Sequence, residues 1–273
     1  MCFKKIASWF NKPDPIPDPI PDPTGKKKIA LLFAINNYPG TQNDLNGCIN
    51  DQVDVIKTLN SKFPGFDIRN YTDIIVTRSN FITAITEAIG ELQAGDLLLV
   101  HYSGHGTQII DEHGDEADGY DEAVYLYDGL VIDDDIGDSL KSIPDGATVV
   151  LMFDSCFSGT VTRKVNLEKN RFVPNPYISR KTRQNLKKRT RFSKAEMKWI
   201  VFSGCGEQQT SADAYIDGRY NGAFTYYALK TLKPGITYKE WIEQINTYLP
   251  SGKYDQAPTL EGNELLFNQI VFT

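Results

Sequence analysis

Short apolar runs alternate along the chain with stretches whose apolar residues recur at helical spacing. The run at 28–35 is continuously apolar, which is typical of a strand covered on both faces of a sheet. Further strands are predicted at 66–72, 96–104, 147–155, 198–204 and 268–272, and helices at 44–59, from a Ser79 cap through Leu92, at 222–232 and at 237–248. This order predicts an α/β fold with a mostly parallel sheet of about six strands sandwiched by helices.

The N-terminal region differs from this pattern. Residues 13–23 place proline at every second position, which predicts an extended spacer because proline fixes φ and lacks an N–H. We therefore divide the chain into a tail and spacer at 1–27 and a folded domain at 28–273. The tail is either a disordered segment or an amphipathic helix that docks on the domain, a partner or a membrane surface.

Composition narrows the class of protein. The chain has 273 residues, four scattered cysteines without a CxxC pair and three histidines. This argues against a disulfide scaffold, a zinc ribbon and a histidine-rich metal site. No apolar run is long enough for a transmembrane helix, and no signal-peptide pattern follows the first lysines. We expect a cytoplasmic protein.

Polar, glycine-containing loops follow three predicted strands, and two of them carry His105 and Cys156. The carboxyl ends of parallel strands meet at one edge of a sheet, where ligands usually bind, so these two residues are expected to meet. An imidazole that takes the proton of a thiol, and later protonates a leaving amine, makes cysteine an effective nucleophile. The backbone N–H groups of Gly106 and Cys156 are candidate donors to the oxyanion of a tetrahedral intermediate.

The same loops carry a family resemblance. The segments YSGHGT (102–107), DSCFSG (154–159) and SGCGEQQTSADA (203–214) resemble the signature segments of metacaspases, which belong to the wider clan of caspase-like cysteine peptidases. NGCINDQ (46–52) and DGYDEAVYLYD (118–128) match in order and spacing. The resemblance implies a caspase-like fold, with His105 as general acid/base and Cys156 as nucleophile.

The resemblance also implies the substrate pocket. Its residues match Cys48, Asp51, Ser103 and Asp154 of this chain. Carboxylates in a partly buried pocket select a cationic side chain, and arginine can bind them bidentately. We therefore expect protein or peptide substrates that are cleaved after Arg or Lys.

Charge is concentrated in one segment. Residues 163–198 hold 13 of the 29 Lys and Arg residues and two acidic residues, so this segment carries +11 while the rest of the chain carries −17. A polar loop of this length inside a domain is usually functional or disordered. We interpret it as an autoprocessing or autoinhibitory loop of a zymogen. The self-cleavage candidates are Arg180, Lys181, Arg183 and the cluster at 187–189; an inert solvated loop and a nucleic-acid-binding patch are the alternatives.

Many metacaspases need calcium, and the resemblance points to Asp121, Asp133 and Asp134 as its ligands, in keeping with the preference of Ca²⁺ for carboxylate oxygens. One family aspartate is not matched, because position 163 is Arg. Calcium is therefore the one cofactor that the sequence suggests.

Three alternatives stay open at this stage. The chain could be a clan member that cleaves after Asp, a catalytically silent caspase-like scaffold that binds partners, or a nucleic-acid-binding module. The acidic residues Asp51 and Asp154 argue against the first, and the intact pair His105 and Cys156 argues against the second. The charge of −17 outside the basic segment argues against the third, so no nucleic-acid partner is expected. By analogy with metacaspases, we expect a monomer.

Overall fold

A central sheet organises the structure, a computed structural model that describes residues 25–110, 120–156, 169–173, 197–206, 209 and 211–273. The strands are β1 (Lys28–Ala34), β2 (Phe66–Thr72), β3 (Leu97–Ser103), β4 (His105–Ile110), β5 (Tyr120–Leu126), β6 (Gly129–Ile132), β7 (Thr148–Asp154), β8 (Lys169–Asn170), β9 (Trp199–Ser203), β10 (Ala212–Ile216), β11 (Arg219–Gly222) and β12 (Thr259–Gly262). The helices are α1 (Cys48–Lys62), α2 (Arg78–Gly90), α3 (Asp133–Leu140), α4 (Ala223–Thr231), α5 (Tyr238–Ile245) and α6 (Glu264–Phe267).

The central sheet has six strands in the order β12-β9-β7-β3-β1-β2. Every neighbouring pair is parallel except β12 and β9. In the β3–β7 pair, Ser103 lies opposite Asp154 at the carboxyl ends of the strands. The loops that follow these two strands therefore begin side by side.

Helices cover both faces of the sheet because its strands are apolar on both sides. In β1, Ile29, Leu31 and Phe33 belong to the core on one face, while Ala30 and Leu32 belong to the core on the other. The first core is closed by α2 and α3, and the second by α1, α4 and α5. None of the helices in the described part of the chain has the length and apolar character needed to span a bilayer.

Two small antiparallel sheets flank the carboxyl edge of the central sheet. One has the order β4-β5-β6 and begins two residues after β3 ends. The other has the order β11-β10-β8, in which β10 pairs antiparallel with both neighbours. Its strand β8 comes from the basic segment at 163–198 and brings part of that segment to the edge of the sheet.

The predicted fold class is confirmed, with two corrections to its elements. The strand predicted at 268–272 is wrong: the sixth strand is β12, and Val271 and Phe272 are buried against α5 without joining the sheet. A short apolar run predicts burial, but it does not say whether the backbone pairs. The predicted cap of α2 is also wrong, because the Oγ1 atom of Thr77 accepts the N–H of Asn80 and the helix begins at Arg78. The predictions for the tail and for the proline spacer at 13–23 lie outside the described residues.

Candidate active site

The loops after β3 and β7 converge on one carbonyl group. The backbone N–H of Gly106 donates to the oxygen of Arg171 at 2.9 Å, and the N–H of Cys156 donates to the same oxygen at 3.2 Å. These are the two N–H groups that the sequence offers as oxyanion donors. Two N–H groups aimed at one oxygen form the geometry that stabilises charge on the carbonyl oxygen of a substrate.

His105 is held by main-chain and hydroxyl groups. Its N–H donates to the Oη atom of Tyr38 at 2.8 Å, and its Nε2 lies 2.7 Å from the carbonyl oxygen of Asn43. Because a carbonyl only accepts, a neutral ring carries its proton on Nε2, and Nδ1 keeps its lone pair. Nδ1 is buried and makes no hydrogen bond among the described residues.

Burial keeps the His105 imidazole neutral. Burial lowers the pKa of His105 to about 4, while the carbonyl groups of Asn43 and Arg171 favour the protonated form and oppose this effect. The neutral imidazole keeps a lone pair on Nδ1, although a pKa of about 4 makes it a weak base while it is buried in this way. A neutral ring is the protonation state from which a general base acts.

Cys156 is fully buried, and its thiol contacts the backbone of Ser211. The thiol donates to the Ser211 carbonyl oxygen at 3.2 Å and accepts the Ser211 N–H. Burial, reinforced by the neighbouring thiol of Cys205, raises the pKa of Cys156 well above its ordinary value. The thiol is therefore protonated in this state of the protein.

An acidic pocket adjoins the two loops and holds the guanidinium group of Arg171. The Nη2 atom of Arg171 lies 2.9 Å from Asp51 and 3.2 Å from Asp213, and its Nη1 atom lies 3.2 Å from Asp154. Nη1 also donates to the hydroxyl of Ser103 at 2.8 Å. Arg171 and the three carboxylates are fully buried, so the ion pairs form in an environment that screens charges poorly.

Backbone and hydroxyl donors hold two of these carboxylates in place. The N–H of Gly222 donates to both oxygens of Asp51, at 2.9 and 3.0 Å. The N–H of Thr225 donates to Asp154 at 2.8 Å, and the hydroxyl of Ser211 donates to it at 2.6 Å. The pocket is therefore organised by atoms of the fold as well as by the arginine that occupies it.

The third carboxylate and the sulfur complete the pocket. The N–H groups of Asn46 and Gly47 each donate to Asp213 at 2.9 Å. Cys48 follows directly at the start of α1 and is fully buried. Burial raises the pKa of its thiol, and the charge of Arg171 acts in the opposite direction. Cys48 therefore contributes a neutral, close-packed wall.

The segment that carries Arg171 is bound as an added strand. Lys169 and Asn170 form β8 and pair with Asp213 and Ala212 of β10. The N–H of Arg171 donates to the Ser211 carbonyl oxygen at 3.1 Å. An extended peptide that adds a strand to a sheet edge and inserts one side chain into a pocket is a common mode of peptide recognition. On the other side of Arg171, the N–H of Val173 donates to the carbonyl oxygen of Gly106 at 3.1 Å.

The structure thus brings together the predicted pocket residues Asp51, Ser103 and Asp154 around one guanidinium group. Sequence reasoning missed Asp213, although it lies in the quoted segment 203–214. It also missed Asn43, which acts through its carbonyl group and leaves no signal in residue type. Arg171 was one of thirteen basic residues in its segment, and nothing in the sequence set it apart.

The residues expected to bind calcium lie near one end of the β5–β6 hairpin, where Ala123 pairs with Ile132. Asp121 lies in β5, whereas Asp133 and Asp134 lie in the first turn of α3. Within the described ranges, no group of three or more His, Cys, Asp or Glu side chains is placed to hold a metal ion. Calcium binding by Asp121, Asp133 and Asp134 therefore stays a prediction, and we derive no step through calcium.

The described geometry, with a cysteine and a histidine at the carboxyl edge of this sheet, defines a cysteine peptidase of the caspase type. The family model of the caspase domain matches residues 27–268. The chain belongs to this family of cysteine peptidases. Caspase-1 from Spodoptera frugiperda has a TM-score of 0.62 over 90% of this chain and 88% of its own, at 11% identity, and so shares the fold.

Within the family, the similar proteins are metacaspases. Metacaspase-1 from Schizosaccharomyces pombe is 33% identical over 86% of this chain and 67% of its own length. Metacaspase-1 from Candida glabrata is 33% identical over 88% of this chain and 73% of its own. Protein GSU0716 from Geobacter sulfurreducens has a TM-score of 0.72 and 31% identity over 90% of this chain and 98% of its own.

Proposed function

We propose that the protein is a cysteine endopeptidase that cleaves peptide bonds after Arg or Lys, with Cys156 as nucleophile and His105 as general acid/base, and that it is made as a zymogen. One observation carries the proposal. Arg171 fills the acidic pocket while its own carbonyl oxygen accepts the N–H groups of Gly106 and Cys156. A side chain in the pocket and a carbonyl at the oxyanion donors are the two features of a bound substrate.

The reaction follows from these positions. His105 takes the thiol proton on Nδ1, and the Cys156 thiolate attacks the carbonyl carbon of the residue whose side chain fills the pocket. The developing oxyanion is held by the Gly106 and Cys156 N–H groups. His105 then protonates the leaving amine as the C–N bond breaks. Water hydrolyses the thioester, with His105 again accepting a proton, and releases the new carboxylate.

The charge of the pocket supports specificity for cations. Asp51, Asp154 and Asp213 surround a site that excludes solvent, so an aspartate side chain placed there would add a fourth negative charge at close range. Arginine satisfies several of these oxygens at once because its guanidinium is a planar fork. Lysine offers one ammonium group, and we therefore expect it to be accepted less well than arginine.

Occupancy of the site supports the zymogen. Arg171 is fully buried in the pocket, and β8 covers the edge of β10. A second peptide cannot use either surface until this segment leaves. The self-inhibition predicted for residues 163–198 is therefore assigned to the part of that segment that carries Arg171. The other candidates, at 180–189, lie outside the described residues.

A panel of fluorogenic peptides tests the proposal. Four peptides differ only in the residue before the fluorophore, which is Arg, Lys, Asp or Gln. We expect the wild-type protein to hydrolyse the Arg and Lys peptides only, and Cys156→Ala to hydrolyse none. Each assay is run with calcium and with a chelator, so that any calcium dependence is measured directly. Hydrolysis of the Asp peptide, or equal hydrolysis by Cys156→Ala, would contradict the proposal; no hydrolysis of any peptide would favour a silent scaffold.

A further inference from the structure

We propose that the Arg171–Phe172 bond is the bond that the enzyme cuts in its own chain, and that the cut segment ending at Arg171 stays in the site as an inhibitor. This inference rests on the proposed function and names its first substrate. Under this proposal, the active site stays closed after the cut and opens only when residues 169–171 leave it.

Contacts on the N-terminal side of the bond identify Arg171 as the residue at the cleavage position. Its guanidinium occupies the pocket, its carbonyl oxygen accepts both oxyanion donors, and its N–H donates to Ser211. Phe172 follows, and Gly106 pairs with it in an isolated parallel bridge. The chain therefore runs through the site from β10 towards β4, with the carbonyl carbon of Arg171 beside Cys156.

The proposed step balances in atoms. The sulfur of Cys156 forms a bond to the carbonyl carbon of Arg171, and the bond from that carbon to the nitrogen of Phe172 breaks. The thiol proton passes through His105 to the new amino group of Phe172. Water then hydrolyses the thioester, which leaves a carboxylate on Arg171 and restores the thiol. No metal ion, oxidant or other co-reactant is needed.

The two sides of the bond are held unequally. The N-terminal side has the paired strand β8, the Arg171 N–H bond to Ser211 and three buried ion pairs. Of the C-terminal side, the structure describes only Phe172 and Val173, and there it shows one backbone hydrogen bond, from Val173 to Gly106. Cutting between them removes none of the contacts on the N-terminal side. We therefore expect the segment that ends at Arg171 to remain in the pocket after Phe172 has gained a free amino group.

Two variants and a matched control test the bond. Phe172→Pro keeps Arg171 and replaces an amide whose N–H makes no hydrogen bond to a described residue. Arg171→Gln removes the cation. Arg180→Gln removes a cation from the same basic segment and serves as the control. All are compared with wild type by intact mass spectrometry and by sequencing of the new amino termini.

We expect wild type and Arg180→Gln to yield a fragment that begins at Phe172, and Phe172→Pro and Arg171→Gln to remain uncut at this position. A fragment that begins after Arg180, Arg183 or Arg189, formed equally by Phe172→Pro, would overturn the assigned bond while the peptide assay still supports the peptidase. Hydrolysis of Arg peptides by a wild-type chain that never cuts itself would also overturn it. Loss of both activities would instead count against the proposed function.

Retention is tested on the cut wild-type protein by hydrogen exchange. The Arg171 N–H is bonded to Ser211, so the peptide that ends at Arg171 should exchange slowly before and after the cut. The hydrolysis of Arg peptides by cut wild type should be on the order of tenfold slower than by folded Arg171→Gln, because the charged anchor is gone in that variant. Rapid exchange after the cut, or equal rates, would overturn retention.

Discussion

The backbone carbonyl oxygen of Arg171 lies 3.2 Å from the amide nitrogen of Cys156. The predicted nucleophile is thus in direct contact with the residue that fills the acidic pocket. Since Arg171 belongs to the same chain, the proposed recognition of arginine and the proposed inhibition both concern one segment.

Asp213 is expected to share in recognition of the cationic side chain. Asp213→Asn removes one of three buried negative charges and should lower kcat/KM for an Arg peptide by roughly 10- to 100-fold, since breaking a buried charged pair costs several kcal/mol. The comparison is made with Glu243→Gln, which changes an exposed carboxylate on α5. Equal loss in both variants would show that Asp213 does not act through the pocket.

Gly222 is expected to tolerate no side chain. Its N–H binds both oxygens of Asp51, and a Cβ atom there would collide with the carboxylate of Asp154 and the guanidinium of Arg171. Gly222→Ala should therefore abolish hydrolysis of Arg peptides. Gly252→Ala is the matched control, because a Cβ at Gly252 meets nothing within 4 Å. Full activity of Gly222→Ala would mean that the pocket is not shaped as described.

The sequence predicted the main features of the sheet and site because they depend on local patterns. Four strands of the central sheet, β1, β3, β7 and β9, are mostly apolar runs. The residues that follow β3 and β7 meet because parallel strands end at one edge. The sequence did not identify Arg171 because its role depends on pairing with β10, a contact between residues about 40 positions apart. It missed Asn43 because a backbone carbonyl leaves no trace in residue type.

Tyr38 is expected to position His105. Its hydroxyl accepts the His105 N–H, and the two rings lie 4.9 Å apart. Tyr38→Phe leaves that buried N–H without a partner, at a cost of about 1–3 kcal/mol in the free energy of unfolding. We expect kcat to fall while KM for Arg peptides stays near its wild-type value. Tyr220→Phe alters an exposed tyrosine and should change neither; a rise in KM alone would contradict a positioning role.

His101 should make stability depend on pH. Burial lowers its pKa in the folded protein to about 4, and its ring contacts the Thr225 hydroxyl at 3.1 Å. The pKa of histidine in an unfolded chain is about 6.5. Between these values the unfolded chain binds the proton and the folded chain does not. The free energy of unfolding should therefore fall as the pH falls through this range, by at most ~3 kcal/mol from His101.

Urea denaturation of Cys156→Ala, with and without His101→Asn, measures this contribution. Other titrating groups are common to both proteins, including Asp51, whose pKa is raised by burial and which acts in the opposite direction. Their effects cancel in the difference. The same dependence on pH in both proteins would show that His101 is not buried in its neutral form.

A covalent probe tests the central claim most directly. A peptidyl ketone that carries arginine next to its reactive carbon is incubated with Arg171→Gln, in which the pocket's own arginine is absent, and the labelled cysteine is mapped by mass spectrometry. We predict one label, on Cys156, that is lost in His105→Gln and is not formed by the matching aspartate ketone. A label on Cys48 or Cys205, or equal labelling by the aspartate ketone, would contradict the account.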